Sequence, residues 1–244
     1  MKEQEKIQES VNIELEWEER EWGEDEFPKG AAPEKFFRDS KEFANLMMMY
    51  KCAIREVRTK LEVLDDEFSV RYKRNPISSI QTRVKKPISI FRKLKKYGLE
   101  LTPENILKGL HDVAGVRVVC AFIDDIYMVA ALLANQDDIT VLQVKDYIKE
   151  PKANGYRSYH MIVEIPVFFS RGKTPMKVEI QIRTIAMDFW ASLEHQLRYK
   201  KDIEDVEGHE EISGRLLECA DTISDTDRKM QEIKRMIGEF NDLS

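Results

Sequence analysis

Apolar residues recur at steps of three and four through Phe36, Phe37, Phe43, Leu46, Met47, Tyr50, Ile54, Val57, Leu61 and Leu64, which predicts a long amphipathic helix from Pro33 to about Asp66. The pattern changes after Asn75-Pro76. The short run Ile77 to Val84 reads as a strand, and Pro87 suits the first turn of a helix ending near Gly98. Thr102-Pro103-Glu104 then reads as an N-cap with proline at the first helical position, opening a short helix to about Leu110. In HDVAGVRVVCAF apolar residues stand at both parities, the mark of a buried central strand, with Asp112 at its entrance and Arg117 inside it. An arginine there needs a counter-charge close by.

Asp124 and Asp125 open a further helix to about Asn135, and Ile139 to Lys149 reads as the next strand. In the stretch from Lys152 to Arg183 a polar turn leads into two strands joined by a Gly-containing loop. In the second strand Met176, Val178, Ile180 and Ile182 alternate with Lys177, Glu179, Gln181 and Arg183, a row of hydrogen-bonding side chains on one face. An ordinary solvated sheet face has the same pattern. Tyr156, Ser158 and His160, on one face of the first strand, add a flat ring and an imidazole, so that a nucleotide would fit beside the row. Thr184 caps a helix with an apolar stripe of Trp190, Leu193 and Leu197 and a second face of Asp188, Ser192, His195 and Tyr199. Ile212, Leu216, Ala220, Ile223, Met230, Ile233, Ile237 and Phe240 predict a closing helix over 209–240, with a break expected near Thr222 to Asp227. It would pack on the domain or on another subunit. Strands alternating with helices predict an α+β (mixed α/β) chain: a mixed sheet flanked by helices, with long helices near both ends.

At 244 residues and 42% hydrophobic content, one domain of ordinary size with helical additions is the simplest count, and two remain open. No apolar run reaches the roughly 18 residues a membrane helix needs, and the first residues are acidic, where a signal peptide is basic and then apolar; a cytoplasmic protein is expected. Cys52, Cys120 and Cys219 lie far apart, and His111, His160, His195 and His209 form no zinc pattern. The net charge of −6 is unevenly spread: residues 1–26 carry −8, with Trp17 and Trp22 among the acids, and the other 218 residues sum to +2. Arg71 to Lys96 holds ten Lys or Arg and no acid, an anion-binding candidate whose plainer reading is a solvated basic face. Ser89 and Lys93 fall one turn apart on the helix after Pro87, and with Arg83 and Lys85 they could converge on a polyphosphate.

The motifs TRVK, HDVAGVRVV, DYI…NGYRSYH, VEIQIRT and AMDFWASLEH, in this order over roughly Tyr50 to Lys201, resemble the small alarmone synthetases, the single-domain (p)ppGpp synthetases of the RelA/SpoT family. The resemblance implies a nucleotidyltransferase-like sheet and a GTP pyrophosphokinase that moves the β,γ-pyrophosphate of ATP to the 3′-hydroxyl of GDP or GTP, releasing AMP, in the stringent response. On the matching positions, Asp112 and Glu179 would hold Mg²⁺, with Glu179 the first choice of general base. Arg83, Lys85, Ser89, Lys93 and Arg117 would line the ATP side. Tyr156 would stack on guanine, with Lys152, Asn154, His160 and Gln181 completing the GDP or GTP side. A pair of carboxylates suits Mg²⁺, which completes its octahedron with water and phosphate oxygens.

The resemblance divides the chain into an acidic extension (1–32), a synthetase domain (33–204) and a C-terminal helical segment (205–244) that would mediate a homotetramer. Some small members of the family are activated by their own product at a central cleft. The positions matched to that site here include Glu62, Asp65, Ser78 and Gln81, and two acids would repel a polyphosphate, so strong product activation is not expected. The reading from a different class is a non-catalytic module that binds RNA or a nucleotide through the basic 71–96 stretch and Tyr156.

Overall fold

The computed structural model describes residues 40–72, 74–200 and 209–242, which form two compact units: 40–48 with 85–110, and 49–84 with 111–242. Helix α1 spans Lys41–Tyr72. It opens at Ser40, whose Oγ accepts the Phe43 N–H at 3.1 Å, and it runs past Asp66 because Arg71 pairs with Glu67 one turn earlier at 3.0 Å. The part of this helix predicted over 33–39 and the acidic extension lie outside the described residues.

In the first unit α2 (Pro87–Lys96) starts as predicted, with Pro87 in the first turn, where a missing N–H costs no hydrogen bond. It buries Ile88, Ile90 and Leu94 and carries Lys93, Lys95 and Lys96 in its last turn, the end at which the helix dipole favours cations. Thr102 caps α3 (Pro103–Gly109), accepting the Asn105 N–H at 3.2 Å. A Cβ on Gly109 would fall 2.6 Å from Leu99 Cδ1, so a side chain there would have to turn the end of Leu99 aside.

The second unit is built on a five-stranded sheet in the order β1-β2-β5-β4-β3: β1 Ile77–Val84, β2 Ala114–Cys120, β3 Thr140–Asp146, β4 Tyr159–Phe169 and β5 Gly172–Thr184. Only β2 and β5 run parallel, and the chain between them includes helix α4 (Ile123–Ala134). All other pairs are antiparallel. Every residue of β2 is buried except Arg117, which is half-buried. Helices α4 and α5 (Ile185–Lys200) pack on β2 and β5, and α6 (His209–Asp242) packs on both helices.

Several expectations change. Helix α6 is unbroken at Thr222 to Asp227, and there the Thr222 and Thr226 hydroxyls donate back to the carbonyls of Glu218 and Thr222, each at 2.9 Å, so these side chains bond within the helix without interrupting it. The stripe on α5 divides: Trp190 is buried, its Nε1 donating to Leu216 O at 3.1 Å, whereas Leu193 and Leu197 are exposed with Ile185 and Phe189. Tyr156 and Ser158 precede β4, and Ser158 is fully buried, donating to Ile182 O at 3.3 Å. The basic stretch is also partly neutralised within the protein. Arg74 makes two bonds, 2.6 and 3.0 Å, to buried Asp125, which Lys234 of α6 also reaches at 3.0 Å.

Candidate active site

The sheet register brings the polar positions together. Cross-strand partners share a face, so Gln81, Arg117, Gln181 and His160 form one line across β1, β2, β5 and β4. Arg83, Gly115 and Glu179 form the adjacent line, two residues along each strand. Glycine at 115 matters for space: a Cβ there would lie 3.3 Å from Arg83 Cγ and 3.4 Å from Arg83 Nε. The stem of Arg83 therefore lies over β2, between its own strand and the one bearing Glu179.

On β5 and β4 the side chains interlock. Glu179 Oε2 accepts from Gln181 Nε2 at 3.1 Å, and its Oε1 lies 3.6 Å from His160 Nδ1. Burial, with weaker help from Arg183 and Lys152, outweighs the attraction of Glu179 and lowers the proton affinity of His160, so the imidazole is neutral at neutral pH. Burial is also the largest single influence on Glu179 and pushes its carboxyl up, with Asp112 acting the same way. The contributions of His160 and Gln181 together prevail and hold it below the usual carboxylate range.

Asp112 and Glu179 are thus close enough for each to feel the other's charge. The Asp112 Oδ1 atom is buried, and Asp112 also helps push up the proton affinity of Tyr50, behind the larger effect of burial. The Tyr50 hydroxyl is buried and has no hydrogen-bond partner among the described residues. Two hard oxygen ligands and an unsatisfied hydroxyl nearby fit a divalent cation that keeps part of its water. No group of three or more His, Cys, Asp or Glu suited to a metal occurs among the described residues, so a closed, fully protein-ligated centre is not formed there.

The loop that carries Lys152, Asn154 and Tyr156 precedes β4. Gly155, at φ +87°, donates its N–H to Lys152 O at 2.8 Å, and Asn154 Oδ1 accepts the Tyr156 N–H at 3.2 Å while its Nδ2 donates to Glu194 at 3.1 Å. Both ends of the Asn154 amide are thus spent on holding the loop. Lys152 Nζ stands 4.8 Å from the Tyr156 ring centre and 4.9 Å from that of Tyr147. Tyr147 meets Tyr156 and His160 edge-on, at 6.0 and 5.2 Å. The Tyr156 hydroxyl is 2.8 Å from His160 Nε2 and accepts from Arg183 Nη2 at 2.6 Å. Arg117 has its counter-charge in Asp188, at 3.5 Å, and Arg183 shares that same carboxylate oxygen at 3.1 Å.

Of the residues singled out in the sequence, Arg83, Asp112, Arg117, Lys152, Asn154, Tyr156, His160, Glu179 and Gln181 belong to the second unit. Lys85, Ser89 and Lys93 belong to the first, where Ser89 and Lys93 lie one turn apart on α2 and Lys93 Nζ stands 5.9 Å from the Tyr97 ring centre. Three participants escaped the sequence reading. Tyr147 stood in a quoted motif without a role, Gly115 has no side chain to signal one, and Arg183 looked like part of a solvated row.

A sequence model described as the region found in RelA / SpoT proteins matches residues 82–204. The chain is 42% identical over 197 residues to the GTP pyrophosphokinase YwaC of Bacillus subtilis (strain 168), covering 81% of this chain and 92% of that one. It is 35% identical over 203 residues to the GTP pyrophosphokinase YjbM of the same organism, covering 82% and 92%. Among solved structures it is similar to small alarmone synthetase 1 from Bacillus subtilis bound to its product pppGpp, with a TM-score of 0.73, 35% identity, and coverage of 81% of this chain and 99% of that one.

Proposed function

We propose that this chain, which belongs to the RelA/SpoT family, is a GTP pyrophosphokinase that makes (p)ppGpp by transferring the β,γ-pyrophosphate of ATP to the 3′-hydroxyl of GDP or GTP. The observation that carries this is the alignment of Arg83, Gly115 and Glu179 with Arg117, Gln181 and His160 across four strands, with Asp112 beside Glu179. Along this line Arg83 and Arg117 stand on β1 and β2, Glu179 on β5, and His160, bonded to Tyr156, on β4.

In this reading the acceptor base lies on Tyr156, flanked by Lys152 and Tyr147, and Arg83 and Arg117 bind the phosphates of ATP. The 3′-oxygen forms a bond to the β-phosphorus of ATP as the bond from that phosphorus to the α,β-bridging oxygen breaks; the hydroxyl proton passes by way of Glu179 to solvent, and AMP departs with the bridging oxygen. Such a transfer needs alignment and charge neutralisation more than covalent help from the protein. Asp112 and Glu179 would hold Mg²⁺, which when bound offsets charge on the phosphates. Glu179 stays ionised because its proton affinity is depressed, so it suits metal binding and can accept a hydrogen bond from the 3′-hydroxyl. The same depression makes it a modest base, so orientation of the hydroxyl is its main contribution.

We place the protein in the cytoplasm as a homotetramer. In support, no helix among the described residues is long and apolar enough to cross a membrane. Two rows of exposed apolar side chains are available for subunit contact: Ile185, Phe189, Leu193 and Leu197 on α5, and Met230, Ile233 and Ile237 on α6. The RNA-binding alternative is not favoured by relatives that are pyrophosphokinases over most of their length.

Incubation with ATP, Mg²⁺ and GDP or GTP should release AMP and yield a guanosine nucleotide bearing a 3′-diphosphate. Glu179→Gln should abolish both. Absence of AMP from the wild type, or equal AMP from Glu179→Gln, refutes the reading.

A further inference from the structure

We infer that Arg183 is a positioning residue for the acceptor side: from within the protein it holds the Tyr156 ring by its hydroxyl and so dictates which nitrogen of His160 carries the proton. Arg183 is 4% exposed. Its Nη2 donates to Tyr156 Oη at 2.6 Å and to Gln181 Oε1 at 3.0 Å, and its Nη1 donates to Asp188 at 3.1 Å. Its guanidinium carbon also lies 5.1 Å from the Tyr156 ring centre.

A guanidinium has only donors, so the Tyr156 oxygen must accept from it. The one hydroxyl proton is then left for His160 Nε2, 2.8 Å away. A ring nitrogen that accepts carries no hydrogen, which puts the proton of the neutral imidazole on Nδ1, the nitrogen facing Glu179 Oε1 at 3.6 Å. The second branch has the same polarity. Gln181 Oε1 accepts from Arg183, so its Nε2 is turned to Glu179 Oε2 at 3.1 Å. One buried cation thus sets the direction of two chains of hydrogen bonds, and each delivers an N–H toward a different oxygen of Glu179. Asp188 holds Arg183 in place while also touching Arg117. Loss of Arg183 therefore bears most directly on the acceptor side, through Tyr156 and His160, whereas loss of Asp188 removes the carboxylate shared by Arg183 and Arg117 and bears on both.

The kinetic part rests on Tyr156 and His160 serving the acceptor nucleotide; the tautomer part does not. In nitrogen-15 NMR of the nucleotide-free, metal-free enzyme, assigned with His160→Gln, wild-type His160 should be a single Nδ1–H tautomer. Arg183→Met should give a mixture and raise the KM for GDP about tenfold with the KM for ATP within twofold, and Arg183→Lys should recover part of both effects. Asp188→Asn should raise both KM values. If Arg183→Met does not fold, Tyr156→Phe, which keeps the ring and removes the hydroxyl, should also mix the tautomers and raise the KM for GDP. An Nε2–H tautomer in the wild type, an unchanged tautomer in Tyr156→Phe, or equal rises in both KM values with Arg183→Met would overturn the inference. A wild type that makes no AMP but holds His160 as Nδ1–H would refute the synthetase reading and leave the network standing.

Discussion

Gly155 and Ala220 meet at a distance that leaves no room for a side chain: a Cβ on Gly155 would fall 2.5 Å from Ala220 Cβ and 3.1 Å from Leu217 Cδ1. The backbone at Gly155 is also left-handed, at φ +87°. Gly155→Ala should therefore cost about 1–2 kcal/mol for the backbone alone, with the contact against α6 added. The melting temperature should fall, and the KM for GDP should rise more than that for ATP, because the turn carrying Tyr156 would shift. Thermal unfolding and steady-state kinetics check this, and an unchanged melting temperature would contradict it.

Gly115 lies in regular strand, so Gly115→Ala should leave stability nearly unchanged while pushing against the stem of Arg83 at 3.3 Å. The stem can give by a few tenths of an ångström. We expect a several-fold higher KM for ATP, an unchanged KM for GDP, and a greater loss with Gly115→Leu. Matching rises in both KM values would show that the strand itself had moved.

Asp227 accepts a 2.6 Å hydrogen bond from Thr184 Oγ1, which in turn accepts the Met187 N–H at the start of α5. Burial raises its proton affinity, and the Thr184 bond only partly opposes this. Between the unfolded and folded pKa values the folded protein binds more protons, so this residue makes stability fall as pH rises through that window. Asp227→Asn keeps an acceptor for Thr184 and loses the charge. It should be as stable as the wild type or more so at neutral pH, and the difference should vanish at acid pH. Denaturant titrations across pH test this, and a variant destabilised equally at every pH would refute it.

The acids matched to the family's effector cleft are already occupied. Glu62 pairs with Arg58 at 2.8 Å, and Asp65 accepts from the Ile77 N–H and from Asn75 at 3.3 and 3.4 Å. Gln81 accepts from Arg117 at 3.4 Å. A saturating (p)ppGpp titration should leave initial rates without a several-fold rise, and such a rise would count against this account.

Local chemistry was legible where the chain itself supplies the cause. Pro87 and the Thr102-Pro103 pair placed two helix starts, and the alternation from Met176 to Arg183 placed β5 with Glu179 and Gln181 on one face. Long-range partners were not. Alternation cannot distinguish a solvated arginine from Arg183, which is buried because Ser158, Tyr156 and Asp188 arrive from other elements. The demand for a counter-charge at Arg117 could be read, but not that Asp188 would meet it. Likewise Thr222 to Asp227 resembled a break because polar side chains give no sign of which backbone or neighbour they will bond.

Helix α6 has a consequence for the order of events during synthesis. Arg157, next to Tyr156, bonds to Asp221 64 positions later, and Gly155 seats against Ala220. On the ribosome the strands emerge first, and the loop that presents Tyr156 gains its contacts at Gly155 and Arg157 only when α6 follows. A nascent chain halted before that helix would carry the strands of the site with this loop incompletely packed, so, on the proposed function, full activity should arrive late in translation.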